Sequence, residues 1–97
     1  PLSYDEKAVK KAWKEDTSDI IRSLSEALKE ADFKAETLKE AIHHFAESKE
    51  LGMGRVMMPL RLCLVGELKG PDVPDILEIL GKDESLHRID EALKKNF

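Results

Sequence analysis

Apolar residues in the first half of the chain recur at helical spacing and never alternate, which predicts helices and no strands. From Tyr4 to Lys14, the residues Ala8, Val9, Ala12 and Trp13 draw a narrow stripe along a Lys-rich helix. Asp16, Thr17 and Ser18 follow as candidate N-caps, since their short oxygens can accept from the free N–H groups of a helix start. Ile20, Ile21, Leu24, Ala27, Leu28 and Ala31 then repeat with the period of a core-facing helix. Asp32-Phe33-Lys34 breaks the pattern. A third helix is expected from about Ala35 to Lys49, burying Leu38, Ile42, Phe45 and Ala46. Gly52 and Gly54 are read as the turn that ends it, because glycine tolerates positive φ after a helix.

Beyond Gly54 the character changes. Val56, Leu60, Cys63 and Leu64 share one helical face, with Pro59 expected in a first turn, where its missing N–H does no harm. Gly66 is placed to stop that helix, and Glu67 to Pro71 reads as a loop. Asp72 is the expected N-cap of a short helix through Leu80, with Pro74 in its first turn and Gly81 past its end. A last helix opens with Asp83 and Glu84 and closes with Lys94 and Lys95, signs that complement the helix dipole at both ends. Its inward face is Leu86, Ile89, Ala92 and Leu93. The expected fold is all-α, one compact bundle of five to six helices. Its core should hold Ile20, Leu24, Leu28, Leu38, Ile42, Phe45, Leu60, Leu64, Leu77, Leu80, Ile89 and Leu93.

Length supports a single domain over residues 1–97: 97 residues fall at the lower edge of the usual domain size of about 100–200. The first helices occupy 1–50; the proline-bearing helix, the loop and the C-terminal helices occupy 51–97. Sixteen basic and twenty acidic side chains give a net charge of −4, which excludes nucleic-acid binding through bulk charge. Any such role must rest on a local patch. One exists: residues 1–50 carry nine basic and twelve acidic groups, whereas residues 51–70 set Arg55, Arg61 and Lys69 against Glu67 alone. A phosphate-bearing partner would dock there, with Arg55 and Lys69 as candidate phosphate contacts. The single Cys63 allows neither an internal disulfide nor a multi-thiolate metal site and suits a reducing cytosol. No apolar run approaches the length of a membrane span, and the polar start Pro1 to Glu6 is unlike a signal peptide. A start without Met is expected of a piece of a longer polypeptide.

Other candidate chemistry reduces to packing and solvation. His43 and Glu47 stand one helical turn apart, but the adjacent His44 points to another face and no third ligand is evident, so no metal site is expected. Gly52-x-Gly54 lacks the strand, the third glycine and the Lys-Ser/Thr of a phosphate loop. Cys63 has apolar neighbours and reads as a core filler, and Trp13 pairs in spacing with Val9 as a packing residue. No Ser-His-Asp, Cys-His or paired-carboxylate set suggests a free-standing enzyme. On these features alone an RNA-binding appendage and a helical protein-interaction module both remain open.

The string from Leu51 to Gly66, LGMGRVMMPLRLCLVG, resembles the C-terminal region of bacterial-type glutamyl-tRNA synthetases, where a glycine turn leads into a helix reading Pro-Leu-Arg and ending on glycine. Gly70-Pro71, the run Ile76 to Lys82, Arg88-Ile89 and Ala92-Leu93 continue the likeness in order and spacing. It is specific over about 51–93 and compatible by helix pattern over 1–50. The resemblance implies an anticodon-binding module of the class I synthetase type, the part of a glutamate–tRNA ligase that reads the anticodon of glutamate tRNA. It implies a parent enzyme that works in the cytoplasm, as a monomer and off membranes, with ATP and Mg2+ held in a catalytic domain outside this chain. The nucleotide-binding motifs of that domain, His-Ile-Gly-His-like and Lys-Met-Ser-Lys-Ser-like, do not occur here. This chain is therefore expected to lack catalytic residues and cofactors and to activate no glutamate by itself.

Residue by residue, the resemblance puts Arg61 beside the anticodon bases and carries loop contacts over to Gly70, Pro71 and Val73. The chemistry suits unpaired bases, which can be splayed out and stacked on a flat guanidinium. About 100° per residue sets Arg61 off the stripe of Val56, Leu60 and Leu64, facing solvent, and Gly66 lets the loop fold back beside it. Pro71 and Val73 are expected to offer an apolar surface to a base. Gly70 stands where relatives often carry Thr or Ser, so a hydroxyl contact is replaced by backbone, and Val65 stands where many carry Thr.

Overall fold

The computed structural model describes residues 3–95 and 97. The part of the polar start read from Pro1 and Leu2 lies outside them, as does Asn96. Six helices make up the described residues: α1 Glu6–Ala12, α2 Thr17–Leu28, α3 Ala35–Ser48, α4 Met53–Val65, α5 Val73–Leu80 and α6 Lys82–Lys94. The described residues contain no strand. A radius of gyration of 12.0 Å matches the roughly 13 Å expected of a compact 100-residue domain.

Helix α4 is the axle, packing against each of the other five. Its position explains why one apolar face was too simple an expectation. Val56, Pro59, Leu60, Leu62, Cys63 and Leu64 are all buried, so the helix is apolar nearly all round. Leu62, pointing away from the Leu60–Leu64 side, is covered by Ala8 and Ala12 of α1, and α1 packs on no other helix. Pro59 is the seventh residue of α4, not part of a first turn. Its ring leaves the Arg55 carbonyl without an intrahelical donor, at a cost of about 3 kcal/mol set against a buried ring in the centre of the fold.

The main core gathers Ile21, Leu24 and Leu28 from α2 and Leu38, Ile42 and Phe45 from α3. Around α4 it adds Ile76 and Leu77 from α5 and Ile89 from α6. Ile20, Leu80 and Leu93, expected inside, pack half-buried against its edge, whereas Ala27 is exposed. Each sits next to the inward stripe, and the neighbouring helix sets the rotation that decides which residue of a pair goes in.

Several helix ends are fixed by distant groups. Asp5 caps α1, its carboxylate accepting from the Ala8 N–H at 3.0 Å, while its own N–H donates to the Gly66 carbonyl at 2.7 Å. Asp16 holds the N-cap position of α2, yet its carboxylate makes no cap bond and pairs with Arg55. The buried Thr17 instead accepts from the Lys14 N–H at 2.8 Å. Glu78 of α5 accepts from the Ala35 N–H at the start of α3, 3.2 Å away. Arg88 of α6 donates to the Leu64 carbonyl at the end of α4, 2.7 Å away, and to Glu84 at 2.7 Å.

The turn after α3 corrects the glycine expectation. The residue with positive φ is Glu50, at 57°, and Gly52 has φ −69° and opens α4. Leu51 N–H donates to Ala46 and Glu50 N–H to Glu47, the paired bonds that close a helix through a left-handed residue. Gly54 lies inside α4.

Candidate nucleic-acid interface

Gly66 ends α4 in the left-handed region, φ 78°, with its N–H on the Leu62 carbonyl at 2.8 Å. The chain then turns back across α4 before α5 begins at Val73. That reversal sets residues 70 and 71 over Arg61, one turn before the helix stop. Arg61 Nη1 donates to the Pro71 carbonyl at 2.5 Å. A Cβ on Gly70 would stand 3.7 Å from the same nitrogen, and Gly70 has φ +124°, which side-chain-bearing residues rarely adopt. Arg61, Gly70 and Pro71 thus form one surface, with Pro71 exposed and Arg61 partly so.

Val73 departs from expectation. It is 2% exposed and belongs to the core, so it anchors the turn and offers only an edge at the floor of the cleft beside Arg61. As the first residue of α5 it faces the core rather than solvent. Arg55 is tied to Asp16, with both side chains about half exposed. Lys69 is exposed and lines a shallow groove of about 340 Å³ with Lys7 and Lys11 of α1 and the carboxylates of Asp5 and Glu67. The three cations of the basic stretch therefore point to three places, and Arg61 alone meets the glycine–proline turn.

Beside Arg61 lies a cleft of about 290 Å³ lined by Lys39, Met57, Arg61, Asp72, Val73 and Pro74. Nothing in the sequence pattern marks Lys39 or Met57 as a site residue. Lys39 lies on α3, so only packing of α3 beside α4 and α5 brings it near. Asp72, the expected N-cap, occupies that position, but its side chain makes no cap bond.

The remaining candidates are accounted for by packing and surface pairing. His43 and Glu47 hydrogen-bond at 2.8 Å on the exposed face of α3. Among the described residues no group of three or more His, Cys, Asp or Glu could hold a metal ion. Cys63 is fully buried, and burial pushes its thiol up to about 12, so it is a packing group at neutral pH. Trp13 donates its indole N–H to Ser18 at 3.2 Å and meets Phe97 edge-on, with ring centres 5.0 Å apart. No helix among the described residues is long and apolar enough to cross a membrane.

Comparison with known proteins decides the family. The sequence model described as the anticodon binding domain matches residues 1–93. The chain belongs to the anticodon-binding domain family. Its likeness runs through the first half as well as the second. A glutamate–tRNA ligase of Christiangramia forsetii is 51% identical over 94 residues, which is 96% of this chain and 19% of that protein. One of Porphyromonas gingivalis is 44% identical over 95 residues. A crystal structure of a glutamate tRNA ligase from Elizabethkingia meningosepticum, in complex with its amino acid, superposes on 97% of this anticodon-binding domain with TM-score 0.95 and 61% identity. A glutamate–tRNA synthetase from Elizabethkingia anophelis gives TM-score 0.85 at 58% identity. The chain spans about a fifth of the length of these relatives.

Proposed function

We propose that this domain serves a glutamate–tRNA ligase by binding the anticodon of glutamate tRNA through Arg61 and the Gly70–Pro71 turn. The observation carrying this reading is the hydrogen bond from Arg61 to the Pro71 carbonyl in a domain 61% identical to part of a glutamate tRNA ligase. It holds the guanidinium plane at the surface before RNA arrives, so little side-chain freedom is left to lose on binding. One Arg61 nitrogen is spent on the loop; the remaining donors and the planar face stay available for base edges and stacking. Gly70 contributes backbone alone. Lys69, with Lys7 and Lys11, suits phosphates along the flanking strand, whereas Arg55 must first leave Asp16.

The chain contributes no catalytic group in this scheme. ATP, Mg2+ and the chemistry of glutamate transfer belong to the rest of the ligase, which works as a monomer in the cytoplasm. The test is Arg61→Ala in the full-length ligase, with tRNA charging measured at subsaturating tRNA and fixed salt. Stacking of a base is worth roughly 1–3 kcal/mol, so charging should fall about tenfold to a hundredfold while glutamate and ATP affinities stay put. Arg61→Lys should restore only part of the loss, since ammonium keeps the charge without the plane. Wild-type charging by a folded Arg61→Ala enzyme would refute the assignment of Arg61.

A further inference from the structure

The cleft beside Arg61 contains two charged side chains that the fold leaves unused. Lys39 projects from the exposed side of α3, and Asp72 stands where α5 begins. Neither belongs to an ion pair among the described residues. An N-cap aspartate ordinarily spends its carboxylate on the first N–H groups of its own helix. Asp72 spends it on none of them. Between the two charges, the half-buried Met57 and the Pro74 ring supply an apolar lining. A volume near 290 Å³ falls just under the roughly 300–1,000 Å³ of small-molecule sites, room for one planar group and its attachment.

We propose that this cleft takes one unpaired nucleotide of the RNA, Lys39 meeting its phosphate and Asp72 reading an amino-bearing base edge. The proposal rests on the anticodon-binding reading above and adds two residues to it. A carboxylate only accepts hydrogen bonds, so Asp72 favours an edge that donates through an amino group, as cytosine does from N4. A uracil in the same pose would turn carbonyl oxygens toward that charge. Lys39 is a mobile point charge that contacts phosphate without reading sequence, the division of labour usual between backbone and base contacts. Lys39 and Arg61 flank the cleft with positive charge, which offsets the repulsion between Asp72 and the RNA backbone. Met57 can adapt its unbranched thioether to the face of the base.

The experiment uses the full-length ligase carrying this domain, an anticodon stem-loop, and stem-loops changed at one loop position at a time. Binding is measured across a salt series. Lys39→Ala should weaken every RNA by roughly three- to tenfold and lower the slope of log Kd against log salt by about 0.7, the value of one single-strand phosphate contact. Lys39→Arg should keep that slope. Asp72→Asn removes the charge and adds a donor at nearly constant shape. It should shift preference toward uracil by about fivefold or more at one loop position, leaving the others unchanged. The cleft assignment is overturned if Asp72→Asn alters all RNAs equally or none, or if Lys39→Ala leaves the salt slope intact. Arg61→Ala, run in parallel, separates two kinds of failure. If it weakens binding while the cleft variants do not, the cleft is wrong and the anticodon reading stands. If it too is silent, the assignment of the Arg61 surface falls and the cleft assignment with it.

Discussion

Gly70→Ala tests whether the shape of the loop, and not merely the presence of Arg61, makes the surface. A Cβ at this position would lie 3.7 Å from the Arg61 guanidinium, an ordinary van der Waals distance, so steric overlap is not the issue. The backbone is. At φ +124° an alanine carries strain of about 1–3 kcal/mol if the loop keeps its path. What holds that path locally is the exposed hydrogen bond from Arg61 to the Pro71 carbonyl, worth about 1 kcal/mol net. Strain and restraint are comparable, and the cheaper response is for the loop to move and release Arg61. Global stability should therefore drop by no more than about 1–2 kcal/mol, a cap set by the bond that is surrendered. Amide chemical shifts of residues 67–72 should change, and stem-loop affinity in the full-length ligase should fall about tenfold. Gly52→Ala is the control, because Gly52 has φ −69° and open space where its Cβ would go. If Gly70→Ala keeps wild-type loop shifts and wild-type RNA affinity, preorganisation by this turn is refuted.

Leu62→Ala should cost about 2–4 kcal/mol in denaturant unfolding and speed hydrogen exchange in α1 first, since Leu62 with Ala8 and Ala12 is the seam joining that helix to α4. An unchanged exchange pattern would mean α1 is held by something else. Arg88→Leu removes a charged donor from the Leu64 carbonyl and should lower stability by about 1–2 kcal/mol. Arg88 also holds the Glu84 carboxyl below its ordinary range, so the contribution of that pair is complete above the unfolded carboxylate pKa. It fades as pH falls through the lowered one, so Glu84→Gln should forfeit the pair's contribution at neutral pH and flatten that acid limb. Glu50→Gly should raise stability by about 0.5–1 kcal/mol, because glycine relieves the positive φ that Glu50 carries at 57°. A loss of stability there would show that the Glu50 side chain does more than tolerate the turn.

Helices were legible in this sequence because their evidence is local. Repeats of Leu, Ile and Ala fix an element and its extent, and α3 and α5 start and stop within a residue or so of where the pattern put them. The meeting of Arg61 with the Gly70–Pro71 turn was legible for a related reason. It needs only a helix of known length, a glycine stop and a short loop, with the Pro-Leu-Arg resemblance to single out Arg61. What stayed hidden depends on how each helix is rotated about its axis, and no helix sets its own rotation. Val73 reads as surface in a loop-to-helix transition, yet it turns inward because α5 packs on α3, α4 and α6. Leu62 falls off the apolar stripe of α4 and is buried only because α1, some fifty residues earlier, lays Ala8 and Ala12 over it. The positive φ after α3 fell to Glu50 although glycines stood nearby, since the paired bonds from Glu50 and Leu51 fix which residue must turn. Glu78 on the N–H of Ala35 and Arg88 on the carbonyl of Leu64 join ends that lie 43 and 24 residues apart. Lys39 enters the cleft by the same route. Its own helix gives it no reason to be anything but a solvated lysine, and only the packing of α3 beside α4 and α5 stands it near Arg61. The local code thus supplies the arginine and the turn, and tertiary packing supplies the charges around them, which is where a preference among bases would arise.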